Sequence, residues 1–289
     1  MKFWQVFALM EPEQMLEVAR FAEDVGFDGV MLADHAVVPQ EIKSRYPYSA
    51  TGEWQSDSKR YFPDCWASIG AIAAATKRLR IATGVYLLPL RNIFEVARAT
   101  ATLTILSGNR FIFGVGTGWM KEEFDIYGVG FHDRGKRYDE MLTALGKLWT
   151  GKMVEHHGNF IDFPALEISP APSAPVPIYM GGNARIVLER TARVADGWIG
   201  SGNTPDQVPG ILANLRALRT QAGRAHLPFE TVIGLTTPHD VDTFRRLEAE
   251  GMTTGISGPF YVSLGASSTV DQKKRLMEDF ARRFIEPCR

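Results

Sequence analysis

The hydrophobic positions of this chain alternate between short continuous runs and amphipathic stretches with helical spacing. An apolar run at residues 3–9 is followed by residues 13–26, in which apolar side chains recur at i, i+3, i+4 and i+7. Residues 29–33 then form a second apolar run with the length of a buried strand. The pattern therefore predicts a strand, a helix and a second strand parallel to the first.

The strand and helix pattern recurs along the whole chain. Further strands are predicted at residues 79–85, 110–115, 176–180, 196–200, 231–235 and 254–257. Further helices are predicted at residues 94–106, 133–149, 183–194, from 204 onward, at 238–249 and at 270–284. Such alternation over 289 residues fits the α/β class and a single (β/α)8 TIM barrel spanning 1–289. An open, doubly wound sheet is the main alternative, because parallel strands are apolar runs in both folds.

Two insertions interrupt the alternation, one after the second strand and one before the fifth. Residues 36–64 have no helical period and contain Tyr46, Tyr48, Trp54, Tyr61 and Phe62. Long loops in compact domains are often functional, so we expect this segment to be a substrate lid. Residues 151–177 are predicted to form a hairpin with a proline-rich link.

Composition and charge narrow the class of protein. Hydrophobic residues are 45% and charged residues 22%, which is ordinary for a globular chain. The formal net charge of −1 gives no electrostatic reason to expect nucleic acid or a membrane surface as partner. The two cysteines, Cys65 and Cys288, cannot form a disulfide framework. We therefore expect a cytoplasmic protein that acts on a small molecule.

The chemistry of a parallel barrel lies at the C-terminal ends of its strands. Asp34 and His35 form the one acid–imidazole pair at a predicted strand end. A histidine titrates near neutral pH, so His35 can exchange a proton with a reacting carbon or the edge of a flavin. The alternatives are that His35 only forms hydrogen bonds within its loop and that Asp34 only caps the loop backbone.

Glycines follow several predicted strands. Gly181 and Gly182 open a helix that Asn183 is predicted to cap, where free N–H groups can bind a phosphate. Each glycine alone fits a tight turn, but glycines at several strand ends together favour a large planar, phosphorylated cofactor. His156 and His157 have no partner at metal-ligand spacing, so we predict no metal site.

Several motifs, in their order and spacing, resemble the bacterial luciferase-like superfamily of (β/α)8 flavin and deazaflavin enzymes. They are ARFAEDVGFDGVMLADH at 19–35, RIATGVYLLPLRN at 80–92, GVGTGW at 114–119, FHDRGKR at 131–137, PIYMGGN at 177–183 and ARVADGW at 192–198. SRYPYSATG at 44–52 and LLPLRN at 87–92 are similar to the subgroup that uses the deazaflavin coenzyme F420.

This resemblance implies an oxidoreductase that transfers a hydride between F420 and a small organic substrate. It also implies a homodimer, since barrels of this superfamily are often dimers. An FMN-dependent monooxygenase on the same fold is an alternative, with FMN in place of F420. A flavin-binding protein without turnover and an unrelated barrel whose glycines only form turns are two others.

The resemblance also implies roles for individual residues. His35 is the catalytic residue, and the Gly84–Val85 peptide is a non-prolyl cis bond behind the cofactor ring. The implied cofactor contacts are Asp34, Thr83, Gly84, Val85, Gly116, Thr117, Gly118, Arg137, Tyr138, Gly181, Gly182 and Asn183.

The substrate side of the site shows one departure from the superfamily. Trp119 stands where a sugar-phosphate dehydrogenase of the superfamily has a glutamate proton donor, which favours an apolar or aromatic substrate. Trp119, Tyr46 and Tyr48 are the expected substrate residues. The nearby Glu122 and Glu123 have no role in this interpretation.

Overall fold

The computed structural model describes residues 1–49, 51–54, 61–237 and 240–289. Its strands are β1 (Lys2–Val6), β2 (Gly29–Leu32), β3 (Arg80–Thr83), β4 (Tyr86–Leu87), β5 (Phe111–Gly116), β6 (Val154–His157), β7 (Asp162–Leu166), β8 (Ile178–Gly181), β9 (Gly197–Asn203), β10 (Glu230–Leu235) and β11 (Thr254–Ser257). Its α-helices are α1 (Met15–Asp24), α2 (Cys65–Ala75), α3 (Ile93–Leu106), α4 (Lys121–Ile126), α5 (Arg134–Leu148), α6 (Arg185–Val194), α7 (Val208–Gln221), α8 (Val241–Ala249), α9 (Phe260–Leu264) and α10 (Val270–Phe280).

Eight parallel strands form a closed ring in the order β3, β2, β1, β11, β10, β9, β8 and β5. The ring closes because β3 pairs with β5, through Ile81 opposite Phe111 and Ala82 opposite Ile112. β4 only extends the edge of β5. The predicted TIM barrel is confirmed, and the open sheet is wrong because neither edge of the sheet is left unpaired.

The hairpin predicted before the fifth barrel strand consists of β6 and β7, which pair antiparallel. Three helices were not predicted. In α2 most positions are apolar or small, so no polar face marks the helix, whereas α4 and α9 are too short to show a period.

Two predicted helix starts differ from the structure. Asn183 does not cap α6, which begins at Arg185, because its Nδ2 instead donates to the Ser201 carbonyl at 2.6 Å. α8 begins at Val241, where the Asp240 side chain accepts from the Thr243 N–H. The predicted start of that helix at residues 238–239 lies outside the described residues.

Polar side chains fill the N-terminal end of the barrel. Arg80 donates to Glu230 at 2.6 Å and to the Tyr179 hydroxyl at 3.1 Å, and Lys2 donates to Glu230 at 3.0 Å. Above this layer the interior is apolar, with Trp4, Val6, Met31, Ala82, Ile112, Tyr179, Ile199 and Val232 packed together. This arrangement leaves the C-terminal ends of the strands as the open end of the barrel.

The described residues were compared with the requirements of a membrane-spanning helix and of a metal site. Within the described ranges, no helix has both the length and the apolar character needed to cross a bilayer. In the same ranges, no three His, Cys, Asp or Glu side chains are grouped so that they could hold a metal ion.

The folded protein lowers the pKa of five carboxyl groups, those of Glu11, Glu23, Glu122, Glu140 and Glu230. Burial alone would raise each pKa, but it is outweighed by hydrogen bonds to the carboxylates and, for Glu230, first by the positive charge of Arg80. A carboxyl with a lowered pKa stabilises the fold above its unfolded-state pKa, and this contribution is lost as pH falls through the folded-state pKa.

We therefore expect the free energy of unfolding to fall steadily as pH drops below about 4.5, the ordinary pKa of these groups. Urea unfolding between about pH 7 and about pH 3 measures this. A free energy of unfolding at about pH 3 that equals or exceeds the one at about pH 7 would contradict this expectation.

Candidate active site

A cavity of about 590 Å³ opens at the C-terminal ends of the barrel strands. This volume falls within the range of small-molecule and cofactor sites, about 300–1,000 Å³. Apolar side chains of Val6, Met31, Val85 and Ile199 contribute to its wall. The ends of β1, β2, β9, β10 and β11 also line it, so the cavity lies where a parallel barrel places its chemistry. Residues of the described part of segment 36–64 and of α9 and α10 complete the wall.

His35 lies on the cavity wall and is held by a buried carboxylate. Its Nδ1 lies 2.8 Å from Oε2 of Glu123, and the Ala36 N–H donates to the other oxygen at 3.0 Å. An ionised carboxylate can only accept, so the proton of this contact is assigned to Nδ1. Nε2 is then the nitrogen that remains for proton exchange with a bound molecule.

Glu123 is the residue that sequence reasoning missed. It is 0% exposed and lies in α4, far along the chain from His35. A signal was present, because α4 directly follows the glycine-rich end of β5 and so begins at the active end of the barrel. Its neighbour Phe124 is buried as well, so this side of α4 faces the protein.

The first turn of α4 also holds the segment 36–54. Oε1 of Glu122 accepts from the backbone N–H groups of Lys43 at 2.8 Å and Ser44 at 3.1 Å. The Lys121 N–H donates to the Ser44 hydroxyl at 2.9 Å. The predicted lid is therefore attached to α4 at two places, Ala36 and the pair Lys43–Ser44.

Asp34 lies on the wall, but the protein itself neutralises its charge. One terminal nitrogen of Arg91 contacts both carboxylate oxygens, at 2.7 and 2.8 Å, and the Leu87 N–H donates to one of them at 3.0 Å. Burial alone would lower the pKa of Arg91, but the negative charge of Asp34 contributes to a net rise of that pKa. A cofactor contact by Asp34 stays a prediction, and the backbone group that Asp34 binds belongs to β4.

Five aromatic side chains line the cavity on the side of His35: Tyr46, Tyr48, Trp54, Phe62 and Trp119, here called the aromatic box. The ring centroids of Trp54 and Phe62 lie 4.8 and 5.1 Å from that of His35. Burial raises the pKa of Tyr46 to about 12, so its hydroxyl stays neutral at physiological pH. Tyr46, Tyr48 and Trp119 thus lie together on the wall, and their role as substrate residues stays a prediction.

The strand-end glycines make room mainly for protein side chains. A β-carbon on Gly116 would lie 2.6 Å from Val85, and one on Gly181 would lie 2.5 Å from it. Gly118 has φ +80°, and its β-carbon would lie 2.8 Å from Phe124. These three glycines therefore admit neighbouring side chains, which corrects the interpretation that they leave space for a cofactor.

Gly84 and Val85 do lie on the cavity wall, and the peptide bond between them is cis, as the resemblance implied. Other predicted cofactor residues lie off the wall: Thr83, Gly116, Thr117, Gly118, Arg137, Tyr138, Gly181, Gly182 and Asn183.

Two of these residues have buried side chains. The Thr83 hydroxyl is 0% exposed and donates to the Gly114 carbonyl, and Tyr138 is 1% exposed in the core. Arg137 uses its Nε to donate to the Pro89 carbonyl at 3.0 Å.

One polar group beside the cavity lacks a partner. Oδ1 of Asn183 is buried and has no hydrogen-bond partner among the described residues, although its Nδ2 bonds to Ser201 on the wall. Gly182 next to it has φ +130°, a backbone shape that favours glycine. An apolar wall at Val85 and a polar group at Asn183 fit a planar cofactor with a polar tail.

A sequence model of the luciferase-like monooxygenase family matches residues 5–243, and the chain belongs to this family. An uncharacterized protein of Mycobacterium tuberculosis is 35% identical over 289 residues, 99% of each chain. An F420-dependent glucose-6-phosphate dehydrogenase of Nakamurella multipartita is 28% identical over 243 residues, 82% of this chain and 67% of that one. The chain is therefore an oxidoreductase, and the unrelated-barrel alternative is wrong.

Solved structures share the fold. A monooxygenase from Streptomyces bottropensis has a TM-score of 0.76 at 21% identity, over 99% of each chain. The coenzyme F420-dependent tetrahydromethanopterin reductase of Methanopyrus kandleri has a TM-score of 0.75 at 16% identity, over 100% of this chain and 99% of that one. Both likenesses agree with the closed barrel described above.

Proposed function

We propose that this protein transfers a hydride between the deazaflavin coenzyme F420 and a small organic substrate, with His35 exchanging the accompanying proton. The observation that carries the proposal is the His35–Glu123 pair on the wall of a cavity that also presents Val85. The F420-dependent relative from Nakamurella multipartita supports the choice of coenzyme. F420, when bound, supplies the carbon that gives or accepts the hydride.

The chain's own residues supply binding and proton exchange. Gly84 and Val85 form the surface for the flat ring, and Asn183 binds a donor of the polar tail. Nε2 of His35 takes the proton of a substrate alcohol during oxidation or gives a proton to a carbonyl oxygen during reduction. The Glu123 carboxylate keeps the ring in place and stabilises the imidazolium. The aromatic box excludes water from the site.

A binding titration of cofactor-free protein tests the choice of coenzyme. F420 and FMN are added separately and followed by fluorescence. We expect F420 to bind at least about tenfold more tightly than FMN. FMN binding alone, with oxygen consumption by the reduced complex, would replace the proposal with an FMN-dependent monooxygenase. Binding of neither would refute it.

Asn183→Ala tests the polar group beside the cavity. Loss of one hydrogen bond should weaken F420 binding by about 3- to 10-fold. Asn159→Ala is a matched control, because Asn159 is exposed in the turn of the β6–β7 hairpin. Equal Kd values of the two variants for F420 would show that the Asn183 side chain does not bind the cofactor.

A further inference from the structure

The aromatic box is organised around Trp119. The ring centroid of Trp119 lies 5.1 Å from Tyr46, 5.5 Å from Trp54 and 5.9 Å from His35. All three contacts are edge-to-face, with interplanar angles of 66°, 74° and 79°. Edge-to-face contact is a favourable geometry for aromatic pairs, so the rings stabilise one another. A molecule that reaches His35 from the cavity mouth therefore meets rings supplied by the lid and by the end of β5.

The charges on the described part of the cavity wall are compensated within the protein. Asp34 is paired with Arg91 at 2.7 Å, and His35 with Glu123 at 2.8 Å. Arg283 is paired with Asp279 at 3.4 Å. Transfer of a phosphate dianion into such a wall would cost its hydration without a free cation to replace it. The part of the wall around His35 and the aromatic box is thus suited to an uncharged molecule.

We infer that the substrate is an uncharged, flat molecule that carries a ketone carbonyl, bound among the rings of the aromatic box beside His35. The chemistry of this inference rests on the proposed function. Phosphorylated sugars are excluded, in contrast to the substrate named for the relative from Nakamurella multipartita.

The reaction balances with these groups. The carbonyl carbon gains a hydride, which carries two electrons from the reduced deazaflavin, and the carbonyl oxygen gains the proton of His35 Nε2. The π pair of the carbonyl becomes the O–H bond of the alcohol product. The coenzyme is oxidised by two electrons, and His35 regains its proton from solvent.

Calorimetric titration of the cofactor-free protein tests the inference without turnover. The probes are 2-acetylnaphthalene, an uncharged flat ketone, and glucose 6-phosphate. We expect measurable binding of the ketone and at least about tenfold weaker binding of the sugar phosphate. Undetectable binding of the ketone, or tighter binding of glucose 6-phosphate, would overturn the inference.

Two variants locate the binding at the box. Trp119→Ala should weaken ketone binding by about 10-fold, whereas Trp119→Phe keeps a ring and should change it by less than about 3-fold. Thermal melting of both variants checks that they fold. An unchanged Kd in folded Trp119→Ala places the ketone elsewhere and overturns the inference.

The F420 titration and the ketone titration can refute the proposed coenzyme and the proposed substrate separately. Ketone binding without F420 binding supports the substrate class and refutes the proposed coenzyme. With F420 bound, oxidation of reduced F420 by 2-acetylnaphthalene supports the inference. Reduction of F420 by glucose 6-phosphate in the same preparation overturns it while leaving the proposed function intact.

Discussion

Replacing His35 with alanine is expected to lower kcat by about 10²- to 10⁴-fold, the usual contribution of a positioned acid or base. The hydride would then move without a group to take or supply the proton at the substrate oxygen. F420 binding should change by less than about threefold, because the apolar wall at Val85 is untouched. Steady-state oxidation of reduced F420 and the fluorescence titration measure the two quantities.

A second histidine provides the control for this experiment. His226 is exposed in the link between α7 and β10, so His226→Ala should keep the wild-type kcat. Added imidazole should partly restore turnover in His35→Ala by replacing the missing side chain. Full turnover of His35→Ala with normal F420 binding would show that His35 is not the proton carrier.

Replacing Glu123 with glutamine is expected to lower kcat by about 10²- to 10⁴-fold while leaving KM and F420 binding nearly unchanged. An amide has one acceptor oxygen, so when that oxygen keeps the Ala36 N–H, the NH2 group faces His35 Nδ1 and holds the ring in the tautomer with its proton on Nε2. The negative charge that stabilises the imidazolium is lost as well. Orienting carboxylates of catalytic histidines have effects up to about 10⁴-fold. Stability should fall by about 1 kcal/mol, because hydrogen bonds to a buried carboxylate are replaced by weaker bonds to a neutral amide.

The neighbouring Glu122→Gln is the matched control. Glu122 accepts hydrogen bonds from the predicted lid at Lys43 and Ser44. We expect this variant to raise KM severalfold by loosening the lid, with kcat nearly unchanged. Glu123→Asp keeps the charge and should recover part of kcat. A common loss of kcat and stability in both glutamine variants would instead indicate a purely structural role for Glu123.

The barrel and the face that carries the site were predictable from the sequence. Apolar runs such as residues 29–33 and 231–235 mark strands because both sides of a parallel sheet are covered. Once the strands are parallel and closed, the ends that carry His35 and Trp119 must meet at one face. The distance of 5.9 Å between their ring centroids depends further on how the residues after each strand fold.

The contacts that hold the site required the three-dimensional structure. Glu123 reaches His35 across 88 residues of chain, and no local pattern specifies such a pair. Gly116 and Gly181 are glycines because Val85 packs between them, which the sequence alone cannot distinguish from space for a ligand. The aromatic composition of residues 36–64 predicted a lid, but its attachment to α4 depends on the Glu122 contacts.

A crystal structure of the complex with F420 is the most direct measurement. We expect the deazaflavin ring in the barrel cavity, in contact with Val85 on one side, with His35 facing the space that remains under the aromatic box. A coenzyme bound outside this cavity would contradict the proposed function. A ring placed so that no substrate fits between it and His35 would contradict the role of His35.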